Sequence, residues 1–284
     1  MSKVLIADSG STKTEWCLTE NGETLETVFT QGISPYFLNS IQIEEILRSE
    51  LISNLKNLPD TIYFYGTGCS NPINIKLIKD SLQKSFSDSF VFVNHDLMAA
   101  ARALCGNQPG IVAILGTGSN SCYYDGNEIV KNSPGLGFIL GDEGSGAYLG
   151  KKVIQYYLYN TFEEELIEAF ENKYNLKSAD ILNSVYKEPL PNRYLAKFVG
   201  FLIENRGHFM IENIIEDGLN DFFFTHLYKY PQSWNLPINF VGGVAHQFKD
   251  VIEELCNTYE LKMGNVLKNP MAGLINYHHS AIKN

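Results

Sequence analysis

The chain has 284 residues, of which 44% are hydrophobic, and a formal net charge of -10. This length can bury a substantial core as one large domain or as two of ordinary size. The acidic balance leaves no extended positive surface for nucleic acid or anionic lipid, so neither is expected as a partner. No run of about 18 apolar residues occurs, and the five cysteines contain no CxxC pair, which together favour a cytoplasmic protein with reduced thiols.

Strands and helices alternate in the N-terminal part of the chain. The dipeptide Asn21-Gly22 is a strong turn signal between two β-forming runs, so the chain is predicted to open as a β-meander. In chain order, the predicted elements are strands over Val4 to Ala7, Thr14 to Thr19 and Thr24 to Thr30, a helix over Ile41 to Leu55, a strand over Thr61 to Tyr65, a helix over Ile73 to Phe86, a strand over Phe90 to Val93 and a helix over Leu97 to Leu104. This alternation is typical of an α/β fold.

The opening pattern returns after a stretch rich in glycine and proline at residues 106–110. An apolar run at 111–115 leads into a glycine loop, a strand through Tyr124, an Asp125-Gly126 turn and a third strand. The remainder is mostly helical until a strand at 238–241. This duplicated pattern predicts two similar lobes.

The lobe boundaries are expected at the glycine-rich stretch and near the last helix. Pro270 suits the first turn of that helix. We therefore expect an N-terminal lobe at residues 1–107, a C-terminal lobe at 108–269, and a final helix at 270–284 that packs back on the first lobe.

Two glycine loops, DSGSTKT at 8–14 and GTGSNS at 116–121, each join two predicted strands. Consecutive backbone N–H groups in such a loop can converge on an anion. One loop alone is more often a tight turn, but two at matching places suit a triphosphate. Neither a GxxxxGK[ST] motif nor the third glycine of a dinucleotide fingerprint is present. The candidate phosphate-binding residues are Gly10, Ser11, Thr12, Lys13, Thr14, Gly116, Thr117, Gly118 and Ser119.

Asp8 ends the first apolar strand, where a carboxylate is costly unless it is paired or bound to a metal. It can hold Mg²⁺ through water. The alternative is that Asp8 only caps the loop as an Asx-type turn residue.

Four blocks in order along nearly the whole chain resemble the N-acetylglucosamine kinase family. They are the two glycine loops, GDEGSG at 141–146 and GGVA at 242–245. This family groups with the ATPase activators of 2-hydroxyacyl-CoA dehydratases in the actin, sugar-kinase and heat-shock ATPase superfamily. The resemblance implies an α/β fold of two actin-like (ribonuclease H-like) lobes with an ATP cleft between them, with ATP and Mg²⁺ as cofactors and a small-molecule amino sugar as substrate.

Asp96 follows the strand that ends near Val93, and the residues alone predict that Asp96 or Asn94 caps the next helix. The resemblance implies a further role, because Asp96 matches the family's base that accepts the sugar hydroxyl proton. Asn94 is a candidate for contact with the substrate.

The resemblance also assigns sugar and nucleotide contacts. Asp142 and Gly135 match sugar-binding residues, and Ser133 is a further candidate. Two positions depart from the family, since Ser34 stands where an Asn commonly contacts the sugar and Leu136 where many members have Trp. The block with Gly242, Gly243 and Ala245 resembles the family's adenosine loop, although a plain strand-to-helix turn explains it equally well.

The expected function is phosphorylation of an amino sugar. The preferred candidate is N-acetylglucosamine at its 6-hydroxyl, and N-acetylmuramic acid and glucosamine are the alternative substrates. An activator ATPase of a 2-hydroxyacyl-CoA dehydratase is a distant alternative, which needs cysteines placed to bridge an iron–sulfur cluster. A non-catalytic sugar sensor is another, which predicts a lost base. The six histidines show no zinc-type spacing. Aromatic runs at 156–159 and 222–224 suit core or dimer packing, so a homodimer is also compatible.

Overall fold

The structure, a computed structural model, describes residues 2–10 and 13–282. Ser11 and Thr12 of the first predicted phosphate loop therefore lie outside the described residues. The chain divides into two compact units, Met1–Asn107 with Asn269–Asn284, and Gln108–Lys268.

Each unit is built on a mixed sheet with helices. The strands are β1 (Lys3–Ser9), β2 (Lys13–Glu20), β3 (Glu23–Gln31), β4 (Thr61–Gly66), β5 (Phe90–His95), β6 (Gly110–Leu115), β7 (Ser119–Tyr124), β8 (Ile129–Ser133), β9 (Ile238–Val241) and β10 (Met263–Leu267). The helices are α1 (Ser40–Ile46), α2 (Pro72–Ser85), α3 (Asp96–Cys105), α4 (Gly137–Leu140), α5 (Gly146–Leu158), α6 (Glu164–Tyr174), α7 (Ser178–Tyr186), α8 (Pro191–Ala196), α9 (Val199–Glu204), α10 (Phe209–Thr225), α11 (Gly243–Gln247), α12 (Lys249–Thr258) and α13 (Met271–Ile282).

The two sheets share one topology. The first has the strand order β3-β2-β1-β4-β5 and the second β10-β9-β6-β7-β8. In each, a three-stranded antiparallel meander is extended by two strands parallel to its first strand. The duplicated pattern in the sequence thus corresponds to two copies of the same sheet.

Local sequence explains how the first sheet forms. Asn21 and Gly22 both adopt positive φ, at 54° and 84°, as a tight hairpin turn between twisted strands requires. The apolar run of β1 is completely buried at Leu5, Ile6 and Ala7, as expected for a strand covered on both faces.

The helix α13 belongs to the first unit and packs on α3. Its Gly273 lies so close to α3 that an added Cβ would come within 2.4 Å of the Ala103 carbonyl oxygen. A buried chain of hydrogen bonds reinforces this contact. Arg102 donates to the Tyr65 hydroxyl over 2.7 Å, and that hydroxyl lies 2.8 Å from Nε2 of His278. Burial, with the charge of Arg102, lowers the pKa of His278 to about 3, so the ring stays neutral.

Two predicted elements differ from the structure. The single helix expected over Ile41 to Leu55 is interrupted, because α1 ends at Ile46 and a π-helical turn, Leu47–Leu51, follows. Leu47 and Leu51 are buried while Ile41 is exposed, since a separation of six residues places Ile41 and Leu47 on different faces of a helix. The edge strand β10 was not predicted, since its residues MGNVL carry little β-type alternation.

Among the described residues, no helix combines the length and the apolar character needed to cross a lipid bilayer.

Candidate active site

The carboxyl ends of three parallel strands meet at one edge of the first sheet. The register aligns Ser9 of β1 with Gly66 of β4, and Gly66 with His95 of β5. The N–H of Thr67 donates to the Ser9 carbonyl over 2.9 Å, which ties the strand ends together. Asp8 and Asp96 therefore lie at the same edge, the usual ligand-binding position in sheets of this kind.

Asp96 is the first residue of α3 and does not cap the helix, so the predicted cap was wrong. His95 is the cap, with Nδ1 accepting from the Met98 N–H over 3.3 Å. The Asn94 side chain accepts instead from the His95 N–H over 3.0 Å. Because the cap is supplied by its neighbour, the Asp96 carboxylate is left to accept from the N–H of Leu97 over 2.8 Å.

Burial raises the pKa of Asp96 above its ordinary value, against smaller opposing effects of His95 and of hydrogen bonds from the Leu97 backbone and the Thr67 side chain. A carboxylate with a raised pKa is a better proton acceptor than an ordinary surface acid. Asp96 thus lies at the end of β5 with the raised pKa that the predicted role of base requires.

Asp8 shares this edge with Asp96. Burial raises the pKa of Asp8 to about 7, and the negative charges of Asp96 and then Glu15 add to the shift, while Lys13 opposes it. The negative charge of Asp8 is therefore costly in the free protein, and a carboxylate oxygen of this kind suits a hard divalent cation such as Mg²⁺. The residues present thus fit the cation expected from the sequence.

Thr14 was predicted to contact ATP, but its side chain is completely buried. Its hydroxyl lies 2.7 Å from the Ser9 hydroxyl, and both hydroxyls accept from the Ile33 N–H, at 3.3 and 3.1 Å. The Ser9 hydroxyl in turn donates to the Ile33 carbonyl over 3.0 Å. The Thr14 hydroxyl is therefore engaged within the first unit, between Ser9 and the backbone of Ile33.

Ser34 follows this network directly. It is 1% exposed, yet its hydroxyl has no hydrogen-bond partner among the described residues. A buried polar atom without a partner is rare and costs free energy, so such atoms often await a ligand or water. Ser34 is accordingly the candidate sugar contact with the clearest physical signal in the first unit.

The glycine loop of the second unit is fastened to the start of α5. The carbonyl oxygens of Gly116 and Thr117 accept from the N–H groups of Gly146 and Ala147, over 2.8 and 3.0 Å. The Ser145 side chain caps α5 by accepting from the N–H of Tyr148. The predicted phosphate loop and the GDEGSG block are therefore one hydrogen-bonded assembly.

Asp142 lies directly against that loop. Its backbone has a φ of 59°, unusual for a residue other than glycine, and its Oδ1 accepts from the Ser119 N–H over 3.4 Å. A Cβ added to Gly118 would approach Oδ2 of Asp142 to 3.0 Å, so only glycine leaves room for this carboxylate. Burial raises the pKa of Asp142, while the Ser119 hydrogen bond lowers it.

Other predicted residues of the second unit lie nearby. A Cβ on Gly135 would come within 3.0 Å of the Ser119 carbonyl oxygen, so Gly135 reaches the same loop. The Ser119 hydroxyl is buried without a partner, like that of Ser34. The Ser133 N–H donates over 2.6 Å to the hydroxyl of Tyr230, which lies 2.9 Å from the Ser121 hydroxyl. Tyr230 was not predicted from the sequence, because no local pattern around it indicates hydrogen bonds to β7 and β8.

The GGVA block joins β9 to α11. Gly242 has a φ of 128°, and a Cβ there would lie 2.2 Å from the Leu115 carbonyl oxygen, so the glycine is required by the fold itself. Ala245 is fully buried. Nothing lies within 4 Å of a Cβ placed on Gly243, which leaves this residue as the open position of the block.

Within the described part of the chain, Glu163, Glu165 and His208 bring three possible metal ligands within 4.8 Å of one another. Nε2 of His208 lies 3.3 Å from Oε2 of Glu163 and 3.0 Å from Oε1 of Glu165, so contacts within the protein account for this cluster. We assign it no metal-binding role.

No protein-family model matches the chain, and no curated protein matches it. A solved structure from Porphyromonas gingivalis, described as a candidate N-acetylglucosamine kinase, is 40% identical over 98% of this chain and 99% of its own, with a TM-score of 0.94. A second candidate N-acetylglucosamine kinase, from Chromobacterium violaceum, is 17% identical over 98% of this chain and 99% of its own, with a TM-score of 0.75.

A more distant structure is the ROK family glucokinase from Streptomyces griseus in complex with glucose and AMPPNP. It is 16% identical over 99% of this chain and 100% of its own, with a TM-score of 0.58. At this identity the likeness concerns the fold alone. Together with the two sheets of equal topology, it confirms the predicted actin-like α/β fold of two lobes.

In protein free of Mg²⁺, Asp8→Asn is expected to raise the melting temperature more at pH 8 than at pH 5. The pKa of Asp8 is about 7 in the folded state and 3.8 in the unfolded reference. The folded state therefore holds a proton that the unfolded state has lost, and stability falls as the pH rises through this window. Asparagine cannot ionise, so the variant escapes the fall. Thermal denaturation in EDTA measures the difference.

Asp88→Asn, at an exposed acid in the same unit, is the control and should shift the melting temperature equally at both pH values. A gain for Asp8→Asn that is as large at pH 5 as at pH 8 would contradict a desolvated carboxylate at position 8.

Proposed function

We propose that this chain, which belongs to the N-acetylglucosamine kinase family and is an ATP-dependent sugar kinase, phosphorylates an amino sugar with Asp96 as base. The preferred candidate substrate is N-acetylglucosamine, phosphorylated at its 6-hydroxyl. The observation that supports the proposal is the position of the Asp96 carboxylate at the end of β5. His95, and not Asp96, caps α3, and burial raises the pKa of Asp96. N-acetylmuramic acid and glucosamine are the alternative acceptors.

Phosphoryl transfer asks the protein mainly to position the reactants and to stabilise charge. In the proposed reaction, Asp96 orients the attacking hydroxyl and accepts its proton. Asp8 would hold Mg²⁺ through water, and the ion neutralises charge on the phosphates when it is bound. Backbone N–H groups of the glycine loops would bind the phosphate oxygens as preorganised donors.

The nucleotide contacts follow from which predicted positions are accessible. We assign phosphate contacts to Gly10, Ser11, Thr12, Lys13, Gly116, Thr117, Gly118 and Ser119. Gly243 is the proposed adenosine contact because its surroundings are open. Thr14, Gly242 and Ala245 are assigned supporting roles, since the first and last are buried and the fold itself requires the glycine.

The sugar contacts are proposed at Asp142, Ser34, Asn94, Ser133 and Gly135. Asp142 is suited to accept hydrogen bonds from sugar hydroxyls, because Oδ2 is not used by the Ser119 N–H. The Ser34 hydroxyl has no partner in the protein, so a bound sugar would satisfy it. Leu136, which is 60% exposed, offers a smaller apolar surface than the Trp of many family members.

No observation favours the activator ATPase. The first cysteine after the second glycine loop is Cys122, which is completely buried within β7 and so is badly placed to bridge a cluster between two chains. A sensor without activity is disfavoured because Asp96 is retained.

A coupled assay of ADP release over a panel of amino sugars tests the proposal. We expect turnover with N-acetylglucosamine. NMR of the product should show a phosphate ester at the 6-position of the sugar. Glucose and a sample without sugar serve as controls for relaxed specificity and for ATP hydrolysis. Absence of turnover with every hexose and amino sugar would refute the kinase assignment, while turnover only with N-acetylmuramic acid or glucosamine would correct the substrate.

Ser34→Ala is expected to raise the KM for the sugar while leaving the melting temperature unchanged or slightly higher. The substitution removes a buried hydroxyl that lacks a partner in the free protein but would bind the sugar. Steady-state kinetics and thermal denaturation of the same preparations measure both effects.

Ser81→Ala is the matched control, because Ser81 is also 1% exposed and its hydroxyl also lacks a partner, but it lies on α2 and is assigned no ligand. Its melting temperature should respond as that of Ser34→Ala does, and its sugar KM should not change. Equal KM values for the two variants would remove Ser34 from the sugar site.

A further inference from the structure

The segment that carries Asp142 is held in a strained shape. Asp142 has a φ of 59° and Gly144 a φ of 70°, so two of three consecutive residues adopt left-handed backbone. For a residue other than glycine this conformation costs free energy, and it persists only where the surrounding structure enforces it. The neighbours of residues 142–144 should therefore contain the enforcing contacts.

One such contact is the packing of Gly144 on α10. A Cβ added to Gly144 would lie 2.8 Å from Cβ of Phe222 and 3.4 Å from the Gly218 carbonyl oxygen. The backbone of the segment thus touches the buried face of a helix that spans Phe209–Thr225. α10 provides a rigid support immediately after Asp142.

The second contact joins Glu143 to the end of the same helix. Nε2 of His226, the residue that terminates α10, lies 3.1 Å from Oε2 of Glu143. His226 is 2% exposed, and its ring stacks on Phe222 with the centroids 4.8 Å apart. The imidazole is therefore fixed in place by burial and by stacking.

The chemistry of Glu143 and His226 determines which of them donates the hydrogen bond. Burial lowers the pKa of His226, so the ring is neutral near pH 7 and has one proton. A carboxylate can only accept, which puts that proton on Nε2, and Nδ1 is left buried without a partner. In this arrangement Nε2 of His226 donates to Glu143, while Nδ1 is buried without a hydrogen-bond partner among the described residues.

We propose that Glu143 and His226 form a positioning pair that holds the proposed sugar-binding carboxylate of Asp142 in its productive orientation. The inference rests on the proposed function. Glu143 lies between Asp142 and Gly144, so the hydrogen bond that its carboxylate accepts from His226 restrains the peptide units on both sides of it. Asp142 is fixed on its other side by the Ser119 N–H. Loss of the pair lets the segment relax and misplaces Asp142 relative to the sugar.

The test uses variants that separate the hydrogen bond from the packing. His226→Phe keeps a ring that stacks on Phe222 but has no donor, and Glu143→Ala removes the acceptor. Each is expected to raise the KM for the amino sugar about 10-fold, as for loss of a hydrogen bond to a charged group, with the KM for ATP changed less than about 2-fold. The double variant should be no worse than either single one, because both break the same bond.

The conservative variants should restore function. His226→Gln can still donate through its amide, and Glu143→Gln can still accept, so the sugar KM of both is expected to return to near the wild-type value. If His226→Phe does not fold, Glu143→Ala against Glu143→Gln carries the same comparison.

His208→Phe is the matched control. His208 caps the opposite end of α10 and also contacts glutamates through Nε2, at 3.0 and 3.3 Å, but does not touch the Asp142 segment. It should leave the sugar KM unchanged. The inference is overturned if the sugar KM of Glu143→Ala stays within about 2-fold of wild type, if His208→Phe shifts it equally, or if the effects of Glu143 and His226 simply add. A wild-type protein that phosphorylates no amino sugar would instead refute the proposed function.

Discussion

The carboxylates of Asp8 and Asp96 are forced together at one desolvated edge of the first sheet, and the proposed chemistry depends on this constraint. Parallel pairing of β1, β4 and β5 leaves no alternative, because their carboxyl ends are in register. Each acid is disfavoured as an anion by burial, and Asp8 further by the charge of Asp96. In the proposed reaction, Mg²⁺ neutralises the charge of Asp8 and the transferred proton neutralises that of Asp96. Both events lower the free energy of the desolvated carboxylates.

The supports of these carboxylates are spread widely along the sequence. The Ser9 and Thr14 hydroxyls anchor the first glycine loop on the backbone of Ile33. α13, at the far end of the chain, packs on α3, the helix that begins with Asp96. In the second unit, the residues proposed for phosphate and for sugar share hydrogen bonds between Ser119 and Asp142.

Much of the fold could be predicted because local patterns and global topology agree. The turn at Asn21-Gly22, the buried run of β1 and the repeated strand–loop–strand pattern each have a short-range signal. Other features have none. Position alone cannot tell that Thr14 turns inward to Ser9, that His95 rather than Asp96 caps α3, or that β10 adds an edge strand. His226 meets Glu143 only through tertiary packing across 83 positions of sequence, so no spacing rule could identify the pair.

The central claim is that Asp96 accepts the sugar proton and does not serve mainly to hold the fold. The most direct measurement compares wild type with Asp96→Asn for binding of an ATP analogue by calorimetry and for phosphorylation of N-acetylglucosamine. The amide oxygen can still accept from the Leu97 N–H, and His95 still caps α3, so the account predicts a folded variant that binds nucleotide normally and has lost turnover. Phosphorylation of the sugar by Asp96→Asn at the wild-type rate would contradict it.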